Sequence, residues 1–106
     1  MYIAVFVTAS GKLEAARIAR KLIGAKVAAC VNIVDKIGSL FWWKGKVDCS
    51  KEALLIIKSR KEKLPRIIKI VKSAHSYEVP EIIAFPIIGG DKNYLKWIDE
   101  SVRNSP

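Results

Sequence analysis

Two cysteines in 106 residues cannot build a disulfide framework, and Cys30 and Cys49 form no C-x-x-C pair of the zinc or redox kind. With Lys44-Gly45 read as a hairpin turn, Cys49 falls opposite Leu40. Cys30 then lies about ten residues further along, roughly 30 Å at strand rise, well beyond the ~7 Å between Cα atoms that a bridge needs. Both are read as free thiols. Histidine is scarcer still: His75 is the only imidazole, so no second histidine is available to orient a cysteine–histidine catalytic pair. Glutamine is absent, as are the G-x-G-x-x-G and P-loop patterns that cradle phosphates. No apolar run approaches the roughly 18 residues needed to cross a bilayer, and the N-terminus enters the apolar Tyr2–Thr8 stretch with no basic leader or small-residue cleavage site. A cytoplasmic protein without membrane partners is expected.

The residues that are present describe an ordinary globular domain, 51% hydrophobic and 27% charged. A chain of this length buries about 60 to 70% of its unfolded surface and supports one core, so residues 1–106 are read as a single domain. Nineteen Lys and Arg against ten Asp and Glu leave a net charge of +9. The excess sits on two helical stretches (Lys12, Arg17, Arg20, Lys21; then Arg60, Lys61, Lys63, Arg66, Lys69, Lys72) opposite apolar stripes, the pattern of solvated faces. Together with abundant Ile and Lys, it suits the charged surface of a thermophile protein. No RNP-like aromatic sheet motif or helix-turn-helix pattern accompanies it, so a nucleic-acid partner is not expected.

Along the chain, Tyr2–Thr8 is β-branched and aromatic and reads as a buried first strand. From Lys12 to about Ile23, Ala15, Ala16, Ala19, Leu22 and Ile23 recur at helical spacing, with Gly24 as the left-handed stop. A run from Val27 to Val34 leads through Ser39 to Leu40-Phe41-Trp42-Trp43, the turn Lys44-Gly45, and a return strand carrying Val47 and Ala53–Ile57. Ser59 and Glu62 have capping-box spacing, while Pro65 favours a helix start near Leu64. Leu64, Ile67, Ile68, Val71 and Ala74 mark the inward face of that helix. Glu81–Phe85 reads as a fourth strand ended by Pro86, and Asp91 or Asn93 caps a last helix containing Tyr94, Leu95, Trp97, Ile98 and Val102.

The order β-α-β-β-α-β, followed by a C-terminal helix, is the α+β split βαβ arrangement. Its second and third strands are far longer than the usual five or six residues, so the hairpin overhangs the sheet as an arm. Leu40, Phe41, Trp42 and Trp43 on that arm would expose a large apolar patch on a lone chain. A second subunit, or the chain's own core, must cover it.

The stretch Lys72-Ser73-Ala74-His75-Ser76-Tyr77-Glu78-Val79-Pro80-Glu81-Ile82 resembles the signature of the CutA divalent-cation tolerance family, in which His-Pro-Tyr precedes a Pro-Glu pair. Val27–Ile33, Ser39–Lys46, Ile57-Lys58-Ser59 and Asn93–Ile98 are similar to further blocks of that family, in the same order. The resemblance implies a ferredoxin-like fold, a homotrimer with long hairpin arms exchanged between subunits, and a non-enzymatic role in tolerance of copper and other divalent cations. Ser76 departs from the family proline, and Val7 and Ala74 stand where some bacterial relatives have a cysteine and a second histidine proposed as copper ligands.

Candidate metal ligands are His75 with Glu78 three residues on, since imidazole and carboxylate suit an ion such as Cu²⁺, and Cys30 from a neighbouring subunit. Against this, a lone histidine after a helix end is often a capping group, and a cysteine in an apolar strand is often a small buried hydrophobe. Trp43, Tyr77, Tyr94 and Trp97 line a ligand cleft or pack at an interface. Lys58 pairs with Glu78 or Glu81, or holds an anion. The second function class is therefore a signalling trimer resembling the nitrogen-regulatory PII proteins, taking a small anionic ligand at intersubunit clefts.

Overall fold

Alternating burial along the first strand sets up the architecture. In the computed structural model, which describes residues 1–103, β1 (Tyr2–Ala9) turns Ile3, Val5, Val7 and Ala9 inward, the two-residue period of a strand with one face on a core. The chain continues through α1 (Lys12–Gly24), β2 (Cys30–Trp43), β3 (Lys46–Arg60), α2 (Leu64–Ala74), β4 (Ile82–Pro86) and α3 (Lys92–Val102). The four strands form one antiparallel sheet in the order β2-β3-β1-β4. Ile18 and Leu22 of α1 and Ile67 and Val71 of α2 pack on Val5, Val7, Leu55 and Ile57. This is the ferredoxin-like α+β fold with a helix added at its C-terminal end.

The hairpin is as long as its sequence implied. Lys44 and Gly45 both take positive φ, 52° and 80°, the two-residue turn whose twist matches that of the flanking strands. Leu40 pairs with Cys49, and Cys30 with Lys58. A bulge between Val34 and Ile37, with Lys36 at φ 60°, bends the ladder. β1 ends at the Ala9–Ala53 pair, so residues 46–52 of β3 and the β2 residues opposite them project past the sheet as a two-stranded arm.

Three local expectations are corrected. Ser59 caps no helix: it is the penultimate residue of β3, and its hydroxyl donates to the Val27 carbonyl at 2.6 Å. A single 3₁₀ turn, Lys61–Lys63, intervenes, and α2 starts at Leu64 with Pro65 in its first turn. Gly24 stays helical, and the left-handed residue is Lys26 at φ 58°. On α2, Ile70 joins the residues packed against the core, a place expected of Ile68. Asp91 does cap α3, accepting from Tyr94 N–H at 2.9 Å.

The outer face of the sheet is read from the register. One cross-strand row is Cys30, Lys58, Ala4 and Phe85, and the next is Asn32, Ile56, Phe6 and Ile83. α3 lies at one end of this face, burying Ile98 and Val102 and holding Arg60 through Asp99 at 3.0 Å. Arg60 also stacks on Tyr2, 4.9 Å from the ring centre. Phe85, Ile83 and Val34 stay exposed on the same face. No described helix is long and apolar enough to cross a membrane.

Leu22, fully buried between α1 and the sheet, tests the core directly. Leu22→Ala is expected to cost about 2–5 kcal/mol through lost burial and a residual cavity, read from denaturant midpoints at unchanged slope. A loss below about 1 kcal/mol would mean the helix is not seated as described.

Candidate functional site

Two groups of polar residues stand out, at opposite ends of β1. The first centres on His75, which follows the last residue of α2 and has a fully buried side chain. Its Nε2 lies 2.6 Å from the Thr8 carbonyl oxygen, and its Nδ1 lies 3.0 Å from the Tyr77 amide nitrogen. A carbonyl only accepts and an amide N–H only donates, so the proton sits on Nε2 and the Nδ1 lone pair is occupied. Glu14, also buried, comes within 3.7 Å of Nδ1. Its carboxylate accepts from Ser10 N–H and Ser76 N–H, each at 3.0 Å. Burial alone would push the Glu14 carboxyl up, but the Ser10 and Ser76 donors outweigh it and hold the group below its ordinary range. Arg17 completes the group, donating to the Ala74 carbonyl at the end of α2.

Tyr77 turns the other way and donates to buried Glu52 at 2.7 Å, next to the bulge where the arm begins. Its ring lies 4.6 Å from that of His75. Between the arm and residues 77–81 opens a cleft of about 830 Å³ lined by Phe41, Trp42, Trp43, Asp48, Glu52 and Glu78, among others. Of the residues expected to matter, Trp43, Tyr77, Glu78 and Glu81 share this cleft. Burial, and then the nearby Glu52 charge, raise the Glu81 pKa.

The second group lies on the outer face. Lys58 Nζ donates to Asn32 Oδ1, and the Cys30 thiol approaches the same oxygen at 3.8 Å. Tyr94, from α3, lies against Cys30 and packs on Trp97 with ring centres 5.4 Å apart. Lys58 pairs with Ala4 and Cys30 in the register, four residues along β1 from Thr8, or roughly 13 Å at strand rise. Cys30 is therefore not brought to His75 or Glu78 within one chain. Lys58 likewise makes no ion pair with Glu78 or Glu81. Among the described residues, no three His, Cys, Asp or Glu converge as a metal site, and the donors of a single chain do not fit a copper ion.

Glu14, Glu52, Thr8 and Asn32 were not read as site residues. Glu14 carried a signal, an acid in the first turn of a helix after Ser10. Glu52 offered only its place beside the apolar Ala53–Ile57 run. Thr8 acts through its carbonyl and left no mark in the side-chain pattern.

Burial first, and then the bond to Glu52, push the Tyr77 phenol from 10.0 to about 12. The folded state thus holds this proton more tightly than the unfolded state, so the contact's contribution is complete below pH 10.0 and is lost as pH rises through about 12. Tyr77→Phe is expected to cost about 1 kcal/mol at neutral pH and to flatten that alkaline decline, followed by denaturant titration at stepped pH. Equal alkaline slopes in both proteins would contradict the assignment.

With this geometry in view, the chain matches the family model described as CutA1 divalent ion tolerance protein over residues 3–101. It is 47% identical to the divalent-cation tolerance protein CutA of Archaeoglobus fulgidus, across 92% of this chain and 95% of that one. It is 48% identical to the rice protein named Protein CutA 1, chloroplastic, across 97% of this chain but only 58% of the relative's length. A solved structure described as the periplasmic divalent cation tolerance protein CutA from Archaeoglobus fulgidus superposes with a TM-score of 0.94, at 46% identity, covering 97% of this chain and all of that one. The divalent cation tolerance protein of Thermus thermophilus gives 0.93 at 39% identity, over 95% of this chain and 98% of its own. By sequence across nearly its whole length and by fold, the chain belongs to the CutA1 divalent ion tolerance protein family.

Proposed function

We propose that this chain is a non-enzymatic, homotrimeric divalent-cation tolerance protein that takes copper or another divalent ion where subunits meet. The observation that carries the proposal is the family match over residues 3–101. Self-association is supported by the arm, where Leu40 and Trp42 are 80% and 75% exposed on the outer part of β2, which pairs only with β3 among the described residues. A monomer would leave that surface in water, and a closed ring of subunits would cover it. Both cysteines are free, which suits the reducing cytoplasm, and the ion pairs of Arg60 and Arg103 with Asp99 suit a heat-resistant surface.

The donors would come from more than one subunit. Glu78 faces the cleft and Cys30 is partly exposed, so both can ligate without breaking a strong contact. His75 can ligate only if Nδ1 gives up Tyr77 N–H; in the single chain it instead anchors the turn that presents Glu78. A PII-like trimer that takes a small anion is favoured by one separate observation, that Lys58 has no carboxylate partner among the described residues.

Calorimetric Cu²⁺ titration of the purified oligomer tests the leading reading. Wild type is expected to bind ions in a whole-number ratio to a trimer whose mass is confirmed by light scattering. Glu78→Gln and Cys30→Ser should each weaken binding at least about tenfold, while His75→Ala should chiefly lower the melting temperature. No saturable binding by wild type, or a monomeric mass, would overturn it.

A further inference from the structure

Lys58 projects from near the C-terminal end of β3 onto the outer face, where its row neighbours are Cys30, Ala4 and Phe85. Its ammonium bonds the Asn32 side-chain oxygen and reaches no carboxylate among the described residues. The Cys30 thiol turns to that same oxygen. Asn32 therefore has its acceptor engaged and its two amide N–H groups to offer, and Lys58 keeps two further N–H groups. Tyr94 adds a hydroxyl from α3, and its phenol is pushed up by burial and then by Cys30. Three side chains from three elements, Asn32, Lys58 and Tyr94, thus present donors and one positive charge, with no acid among them. The next row supplies apolar surface, Ile56 and Phe6, with Phe6 packed on Phe85 at 4.9 Å.

We propose that Cys30, Asn32, Lys58 and Tyr94 form a carboxylate-recognition site, with Lys58 as counter-charge, Asn32 and Tyr94 as hydrogen-bond donors, and the ligand's apolar body along Ile56 and Phe6. An oxyanion accepts from several donors at once, and such charge-assisted bonds are about twice as strong as neutral ones. A row of aliphatic and aromatic side chains beside the charge selects an organic carboxylate over a compact, strongly hydrated inorganic anion. The carboxylate comes either from a free small molecule or from an Asp or Glu of a second copy laid over this face. Covering the face without one would leave an ammonium buried and unpaired, which is strongly unfavourable. This inference rests on the anion-binding reading and requires no bound cation, although Cys30 is common to both proposals.

Scanning calorimetry with sodium benzoate, inorganic phosphate and sodium chloride at matched ionic strength tests it, using wild type, Lys58→Met and Tyr94→Phe. Lys58→Met keeps the stem and removes the charge; Tyr94→Phe serves if that variant fails to fold. A saturable rise in melting temperature with benzoate, weakened at least tenfold in Lys58→Met and several-fold in Tyr94→Phe, is the expected result for a free ligand. No benzoate response, with Lys58→Met raising the concentration at which the oligomer dissociates by at least tenfold, supports the neighbour's carboxylate. Stabilisation by phosphate alone, with self-association unchanged, overturns the carboxylate assignment and leaves an anion site standing. Silence in every arm overturns both.

Discussion

The strands on either side of β1 do not match its length. β1 has eight residues, β3 has fifteen and β4 has five. On the β3 side, pairing runs the full length of β1 and stops at Ala9, which leaves the far half of β3 with β2 as its only partner among the described residues and produces the arm. On the β4 side, pairing covers only Ile3 to Val7. The Tyr2 carbonyl accepts from Ile87 on that side, so by the two-residue period of a strand the Thr8 carbonyl points the same way, past the end of β4. A buried backbone oxygen left unpaired costs about 1–3 kcal/mol. His75 donates to it and prolongs the ladder by one bond where no strand remains.

That bond constrains everything around the imidazole. Once Nε2–H is committed to Thr8, Nδ1 can only accept, and the Tyr77 amide is its donor. Ser76 and Ser10 N–H then converge on Glu14, tying the end of α2 to the start of α1 across 66 positions of sequence by one carboxylate. The Arg17 contact to Glu14 adds little, since it is 3.7 Å long and its guanidinium is largely exposed. A metal at His75 would compete with the backbone bonds that hold the turn in place, and this is the physical reason the ring behaves as an anchor within one chain.

Features set by local chemistry were legible in the sequence. The alternation of β1, the turn at Lys44-Gly45, the Leu40–Cys49 register and the Asp91 cap each depend on residues a few positions apart. Ser59 misled because its spacing to Glu62 fits a cap equally well, and only the approach of Val27, 32 residues earlier, makes its hydroxyl a strand contact. The site was half legible for the same reason. Tyr77, Glu78 and Glu81 follow one another and share a cleft with Trp43, whereas the separation of Cys30 from His75 follows from a register running through Lys58 and Ala4. Glu52 and Asn32 gain their importance only from partners 25 and 26 residues away.

The distribution of charge bears on how two ligand classes could share so small a protein. The chain carries +9, yet Asp48, Glu52, Glu78 and Glu81, four of its ten acids, line the arm cleft. There the like charge of Glu52 adds to burial in raising the Glu81 pKa, so the carboxylates repel one another at neutral pH. A cation entering the cleft relieves that repulsion, while an anion would worsen it. Around Lys58 the balance is reversed, since it has donors beside it and no carboxylate partner among the described residues. Because β1 holds these regions roughly 13 Å apart along the strand, beyond the ~8 Å screening length at physiological salt, each keeps the sign of its own field. The cleft thereby favours a cation and the surroundings of Lys58 an anion, at different ends of the same sheet.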